Sequence, residues 1–386
     1  NAPNVELGLA GAATDSIYAK AREIALGVSP VISFRSSDPQ HVPHARALQR
    51  HADKAIESEF DFVRALDNGF LTTCKVGTGV WYVPWVEHVK HTRAMEVTWR
   101  GPRIRAIPPG DFLVPPGAYD SIQEMEWVSY RRWFTAAELQ ERAKLRNWDL
   151  NGVQPASETP EVRRHMELLG RSGSRGVAGR PALYEIHDIS ADLPIDDTSA
   201  IRDLLIVYDR TSRRVLRYDW NPYDNRPFEA ARYQLRDHLF YGIGLPELVM
   251  ELQKSASDFM SWWAANALLV NTRGFIGPRS AFPKGYVRVF PGVALTGPEA
   301  DKIKPFALAD VYPSMMNAVG MLMSFAERRT GVNDMVTPRS SAVMGSRMPG
   351  VTASMLLQQQ NTRFGPAFDS MRRAMAGTVK QCYYRY

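Results

Sequence analysis

Hydrophobic and polar positions change rhythm twice along this chain. In residues 17–68 the apolar positions recur at helical spacing. Ile17 to Leu26 predicts a short helix after the small-residue segment GLAGAATDS. Residues 42–68 predict a longer one carrying Leu48, Ile56, Phe60, Val63 and Leu66, with Asp67-Asn68-Gly69 as the turn that ends it. The rhythm then becomes β-like. FLTTCKVGTGVWYVPWV reads as two strand runs with Gly77 and Gly79 in a hairpin turn between them. MEVTWRGPRIRAIPPGDFLVPP continues in that style, and its prolines confine it to edge strands or loops. Thr135-Ala-Ala-Glu138 is a capping box that opens a short helix to about Leu145. ALYEIHDISADL and DLLIVYDRTSRRVLRYDW read as strands, with Asp209 to Arg213 as a turn.

From Phe240 the helical period returns at greater length. Leu245, Leu248, Leu252, Ala256, Phe259, Trp263, Ala267 and Val270 follow a 3-4-4-3-4-4-3 spacing, a seam that packs helices lengthwise. Pro246 suits the first turn and Gly274 lies past the end, giving a helix about 40 Å long. Residues 273–308 are rich in Gly and Pro around a short strand, YVRVF. A second helix starts near Asp310, with Val311, Met315, Val319, Leu322 and Ala326 at 4-4-3-4. The expected geometry is a helical pair with the insert at its tip. Residues 331–350 have no period; they hold Gly331, Gly345, Gly350, Pro338 and Pro349, with Arg339 and Arg347 against Asp334. A third helix should run from Val351 or Thr352 toward Val379. Gly365-Pro366 predicts a kink in it, because proline removes a backbone donor and crowds the preceding turn.

Composition adds a frame. The 386 residues are 45% hydrophobic, enough for a substantial core in two or three domains or one elongated subunit. The net charge of +6 and pI of about 9.2 permit a polyanionic partner without demanding one. The glycine- and arginine-rich GRSGSRGVAGRP reads as a solvated linker rather than a nucleic-acid contact. Cys74 and Cys382 lack metal or disulfide spacing, which points to a reducing compartment. The N-terminus has no signal-peptide pattern, and the uncharged stretch Phe259 to Val270 is too short for a membrane span. Both ends read as trimmed.

Catalytic signals are weak. There is no GxxxxGK[ST] phosphate loop, so an ATP-driven motor is not indicated, and there is no GxSxG elbow. Gly77-x-Gly79 and Gly242-x-Gly244 lack the third glycine of a dinucleotide fingerprint and read as turns. His41, His44, His51, His88 and His91 read as exposed or loop histidines rather than ligands. Asp192, Asp196, Asp197, Asp203 and Asp209 read as solvated rather than as a two-metal nuclease cluster. No catalytic, cofactor-binding or metal residue is assigned, and the chain is read as not an enzyme.

In its order of elements the chain resembles the portal (head-to-tail connector) proteins of tailed bacteriophages, of podovirus-like type. Phe240-Tyr-Gly-Ile-Gly-Leu-Pro-Glu247 is similar to the segment at which portal chains enter the stem. Arg329-Thr-Gly-Val-Asn333, then Val351-Thr-Ala-Ser354 and Gln358-Gln-Gln360, resembles the junction around the tunnel loop. Arg132 to Leu139 and the Val215-Leu-Arg-Tyr strand resemble the wing. The likeness runs from about Asp53 to the C-terminus. It departs where little chain follows the third helix for a crown domain.

The resemblance implies an α+β fold: an N-terminal arm and β-rich wing (1–244), stem helices (245–272 and 309–330) flanking a small α/β clip (273–308), a tunnel loop (331–350) and a kinked tunnel helix leading to wing or crown (351–386). It implies a homo-oligomeric ring, usually of twelve subunits, at one capsid vertex of the virion, assembled in the host cytoplasm. The ring would be a channel for packaging and ejecting double-stranded DNA, read without sequence preference. Its implied partners are terminase, tail or adaptor proteins and the major capsid protein, with no membrane and no cofactor. Channel residues would be Arg339 and Arg347, with Arg328 and Arg329 beside them; clip residues facing motor and adaptor would be Lys284, Arg288, Lys302 and Lys304; the kink would be Gly365 and Pro366. For Arg339 and Arg347, DNA contact and salt bridges between subunits are both open. Arg328 and Arg329 end a helix, where cations are favourable in any case. The competing readings are a nucleic-acid-processing enzyme and another virion adaptor or scaffold protein.

Overall fold

The computed structural model describes residues 4–27, 30–36, 38–91, 96–117, 121–157, 160, 182–196, 199–223, 225–271, 274–281, 300–306, 312–332 and 350–385. It is an α+β chain in two compact units. One takes residues from Thr14–Glu247 and Ser346–Tyr386, the other from Asn1–Ala13 and Leu248–Gly345.

Helix α1 (Leu9–Leu26), most of it in the first unit, starts at Leu9 rather than Ile17, because the alanines of the small-residue segment favour helix. The expected single helix over 42–68 is two: α2 (Val42–Ser58) and α3 (Phe62–Val76). The break lies at Phe60 and Asp61. Phe60 N–H bonds back to Ala55 O at 2.9 Å, its carbonyl accepts from Ile104 N–H at 3.0 Å, and Asp61 takes a left-handed φ of 55°. Phe60 is fully buried and Tyr383 meets it edge-on. Helix α3 then runs through Asp67-Asn68-Gly69 and through FLTTCKV, against the expectations of a turn and a strand. Burial of Leu66, Phe70 and Cys74 on one face outweighs local β propensity. Gly77, at φ 93°, caps α3 instead of turning a hairpin, and Gly79 lies inside strand β1 (Thr78–Tyr82).

Strand β1 is the centre of a three-stranded antiparallel sheet, between β4 (Arg105–Ile107) and β10 (Phe228–Arg232). Strands β2 (Trp85–His91) and β3 (Glu96–Pro102) pair as a hairpin. The largest sheet is a five-stranded antiparallel meander in the order β5 (Phe112–Leu113), β6 (Trp127–Thr135), β7 (Leu183–Asp196), β8 (Ser199–Asp209) and β9 (Arg214–Trp220). Helix α4 (Ala136–Arg146) opens with the expected capping box, Thr135 and Glu138 exchanging side-chain and backbone bonds. It covers one face of this sheet through Phe134, Leu139, Trp148, Ile186 and Leu216. A second core joins the two sheets through Val80, Ile107, Phe112, Val128, Phe228 and Phe240. The last helix, α7 (Gly350–Arg385), lies along β10 and buries Phe364, Phe368, Met371, Met375, Val379 and Cys382, a stripe at helical spacing.

The second unit contains most of α5 (Leu245–Asn271), the two-stranded ladder of β11 (Gly274–Ile276) and β12 (Lys304–Phe306), and α6 (Tyr312–Thr330). The ladder pairs Gly274 with Phe306 and Ile276 with Lys304, so the chain leaving α5 is rejoined by the chain approaching α6. The expected strand YVRVF lies outside the described residues. On α6 the expected stripe holds from Met315 on: Val319 and Ala326 are buried, Met315 and Leu322 half-buried, while Val311 lies outside the described residues.

Candidate functional site

The entry to the long helix is built from glycine backbone. Gly77, Gly242 and Gly244 occupy places where no side chain fits. A Cβ on Gly77 would stand 2.5 Å from Gly242 O, and one on Gly242 would stand 2.5 Å from Gly77 O. One on Gly244 would run into Lys75 O. Hydrogen bonds fix the junction: Tyr233 N–H to Gly77 O at 2.9 Å, Gly242 N–H to Thr78 Oγ1 at 2.8 Å, and Ile243 N–H to Gln234 O at 2.9 Å. Gly77 thus packs backbone to backbone against Gly242 and Gly244, the use that places glycine where chains approach most closely. Leu245 is fully buried where α5 begins, and Glu247 in its first turn pairs with Arg236.

Along α5, side chains at successive turns hold the N-terminal segment and the first turn of α1. Ser261 Oγ accepts from Val5 N–H at 3.0 Å, Ser257 Oγ from Leu7 N–H at 3.1 Å, and Gln253 Oε1 from Ala10 N–H at 2.8 Å. Positions 253, 257 and 261 form one polar row on the helix. Sequence reasoning weighed only the apolar seam and passed over this row; its i, i+4, i+8 spacing was the available signal.

The expected cationic residues fall in two described places. Lys302 ends a 3-10 turn and Lys304 starts β12; both are exposed, two residues apart. Arg328 and Arg329 are exposed in the last turn of α6. That helix stops at Gly331, whose φ is 73° and whose N–H bonds Glu327 O at 2.8 Å. Thr330 Oγ1 accepts from Val332 N–H at 3.2 Å, closing the cap. The cap and the two arginines together neutralise the carbonyl end of α6. Arg339, Arg347, Lys284 and Arg288 lie outside the described residues.

Gly365 and Pro366 lie inside α7, which keeps helical structure from Gly350 to Arg385. Pro366 is exposed, while Phe364, Ala367 and Phe368 beside it are buried. Nearer the C-terminus the helix docks on β10 at Glu229. A Cβ on Gly377 would stand 2.7 Å from the Glu229 carboxyl carbon, so a side chain there would have to displace the Glu229 carboxylate. Gln381 Nε2 donates to Glu229 Oε1 at 3.2 Å, and Ser370 Oγ accepts from Arg232 N–H at 2.9 Å. Burial pushes the Glu229 carboxyl above the ordinary glutamate range, with Gln381, Lys380 and Arg385 pulling the other way.

Among the described residues, Asp192, Asp203 and Asp209 are engaged in ion pairs and a turn. Arg226, 3% exposed, donates from Nε to Asp203 Oδ1 at 3.0 Å and pairs with Asp192 at 3.3 Å. Asp203 also accepts from Ser190 and Asn221, and Asp209 accepts from Thr211 N–H and Ser212 N–H in the β8–β9 turn. Asp196 is described in its backbone only, and Asp197 lies outside the described residues. Of the histidines, His51 Nδ1 meets Tyr383 Oη at 2.9 Å and His41 lies 3.8 Å from Asp38. The side chains of His88 and His91 lie outside the described residues. A Ser129–His187–Glu185 chain, at 3.0 and 3.1 Å, has the look of a catalytic triad. Its serine is 3% exposed, and Arg210 holds the same Glu185 oxygen at 2.9 Å, so the chain ties β6 to β7 rather than presenting a nucleophile. Burial pushes both cysteine thiols up to about 12, which leaves them protonated and inert.

Among models of protein families, the one described as phage SU10 portal protein matches residues 89–365, more than half of the chain. No curated protein matches it.

Proposed function

The chain belongs to the phage SU10 portal protein family, and from that premise we propose how its parts serve a capsid vertex. Membership makes it a structural component of the virion that assembles with copies of itself. In our reading the copies close into a ring of twelve around a channel for double-stranded DNA. The DNA is drawn in during packaging and released on ejection. Terminase docks first, and tail or adaptor proteins replace it.

The observation that carries this reading is the family match over 89–365, which takes in the order helix, ladder, helix, capped end and the first part of the third helix. Helices α5 and α6 act as the stem and residues 273–308 as the clip, with Lys284, Arg288, Lys302 and Lys304 offered to the motor or adaptor. Residues 331–350 act as the tunnel loop and α7 as the tunnel helix, bent at Gly365 and Pro366. Two features support the assignment. The glycine junction at 77, 242 and 244 fixes the start of α5, as a lever that carries load requires. The cap at Gly331 ends α6 sharply before the segment that bears Arg339 and Arg347.

Repeated around the ring, those arginines set a positive belt against a duplex carrying one charge per about 1.7 Å of axis. Attraction of that kind is independent of sequence and lets the duplex slide, whereas base-reading contacts would hold it. Mass photometry of the purified chain tests the ring. Twelve copies of 43.4 kDa give a particle of about 520 kDa. A stable monomer at micromolar concentration would overturn the reading, and negative-stain views down the particle axis should show a central hole.

A further inference from the structure

The five-stranded sheet has one face packed under α4 and an opposite face that carries large exposed side chains. Strand pairing places Val215, Tyr218 and Trp220 of β9 beside Tyr208, Ile206 and Leu204 of β8 on that second face. Val215 is 51% exposed, Tyr218 68% and Trp220 57%. Together they present about 350 Å² of side chain, taking 150–250 Å² for each aromatic residue. Ser129, His187 and Glu185 lie buried further across this face and lock its strands in register, so the surface is a firm one.

Strand β9 is one edge of the sheet; the other is β5. There Leu113 is 37% exposed, and the Tyr241 hydroxyl donates to Phe112 O, tying to β5 the connection between β10 and α5, in which Leu239 is 49% exposed. Four strand spacings, about 19 Å, separate the two edges. One subunit therefore carries an apolar patch on the β9 border of this sheet and a smaller, unlike one, of Leu113 and Leu239, beside its β5 border.

Resting on the portal reading above, we propose that these borders are the two halves of the contact between neighbouring subunits. The β9 border of one copy meets the β5 border of the next. A second copy is the occupant for two reasons. A contact repeated head to tail around a ring needs two different, complementary patches on each subunit, whereas a two-fold contact needs one. The β9 patch also supplies most of the apolar part of a standard interface, which covers about 800 Å² per partner and is a little over half non-polar.

The test uses the full chain, read by mass photometry. Tyr218→Glu with Trp220→Glu breaks the β9 border, and Leu239→Glu breaks the β5 border. Each variant should lose the ring and run as a monomer with unchanged circular dichroism. Leu145→Glu, at an exposed site on α4 outside both patches, should keep the ring. Mixing the two broken variants should yield dimers and nothing larger, because one intact border remains on each. A chain carrying Tyr218→Cys and Leu239→Cys should give a ladder of covalent multimers on oxidation, and this variant leaves the core untouched. Rings that persist in either glutamate variant, Leu239→Glu chains that dimerise alone, or a lone monomer band after oxidation would each overturn the contact. Intact rings that have lost binding of the major capsid protein would assign the patch to that partner and overturn it equally. A monomeric wild type would sink the portal reading itself, and this contact with it.

Discussion

Gly69 of α3 lies flat against the indole of Trp81 in β1, so closely that a Cβ at position 69 would overlap Cε2, Cζ2 and Nε1 of the ring. Trp81 is fully buried, its Nε1–H donates to Ala65 O at 3.0 Å, and Phe70 meets it edge-on. The first strand of the central sheet and the helix before it therefore share one close contact that depends on a missing side chain.

Gly69→Ala should destabilise the protein by about 2 kcal/mol, since overpacking a tight core costs more than the roughly 1 kcal/mol that alanine gains in a helix. Gly320→Ala in α6 is the internal comparison. Nothing lies within 4 Å of its Cβ position, and it should stabilise by about 0.5–1 kcal/mol. Denaturant titrations of the two variants check the opposite signs. A neutral Gly69→Ala would mean that the indole is not seated on α3.

That contact also explains where the sequence misleads. Asp67-Asn68-Gly69 carries the side chains of a turn, yet α3 passes through it because the glycine is needed for a neighbour far along the chain. Gly77-x-Gly79 looks like a hairpin turn, and Gly77 is instead a helix cap pressed on Gly242. Local preference was legible wherever the partner is local: the Thr135–Glu138 capping box, the Asp209–Arg213 turn and the α5 and α6 stripes were all read from spacing. Long-range demands left no local mark. Neither the Arg226–Asp203 pair nor the Glu229–Gly377 contact has a spacing that could announce it. Of the proposed site, the order of elements was readable, and Arg328 and Arg329 end α6 as expected.

Glu229 makes the docking of α7 sensitive to pH. Its folded pKa is raised, chiefly by burial, above the unfolded value. Between the two values the folded state holds more protons than the unfolded one. Stability is therefore highest below the unfolded pKa, falls as pH rises through the window, and stays lower above it. Glu229→Gln keeps an acceptor for Gln381 and removes the charge. Its melting temperature should exceed wild type at neutral pH and converge with wild type in acid. Parallel curves at every pH would show that Glu229 is solvated in the folded state.

Pro366 lies on the exposed side of α7, and its missing N–H leaves the Thr362 carbonyl without its helical donor. Pro366→Ala should stabilise the isolated chain by about 1–3 kcal/mol, the scale on which proline disfavours a helix interior. If Pro366 bends α7, the same change should straighten it and lower the yield of closed rings. Thermal melts and mass photometry read the two effects separately. A variant ring with an unaltered helix bend and normal DNA packaging would remove any role for the kink.

Arg339 and Arg347 divide two explanations of the cationic segment after α6. If they face DNA, Arg339→Ala with Arg347→Ala should leave ring mass unchanged while packaged DNA shortens or leaks. Binding of the ring to duplex DNA should then lose about 0.9 from its log–log salt slope for each phosphate contact removed. If they instead bridge subunits, the variant ring should dissociate at salt concentrations that the wild type survives, because exposed ion pairs are screened within about 10 Å at 0.1 M salt. The two outcomes move different observables. A variant with wild-type packaging, salt slope and ring stability would exclude both roles, and would shift the search for the DNA-facing charge to Arg328 and Arg329, whose place at the α6 cap already accounts for them without DNA.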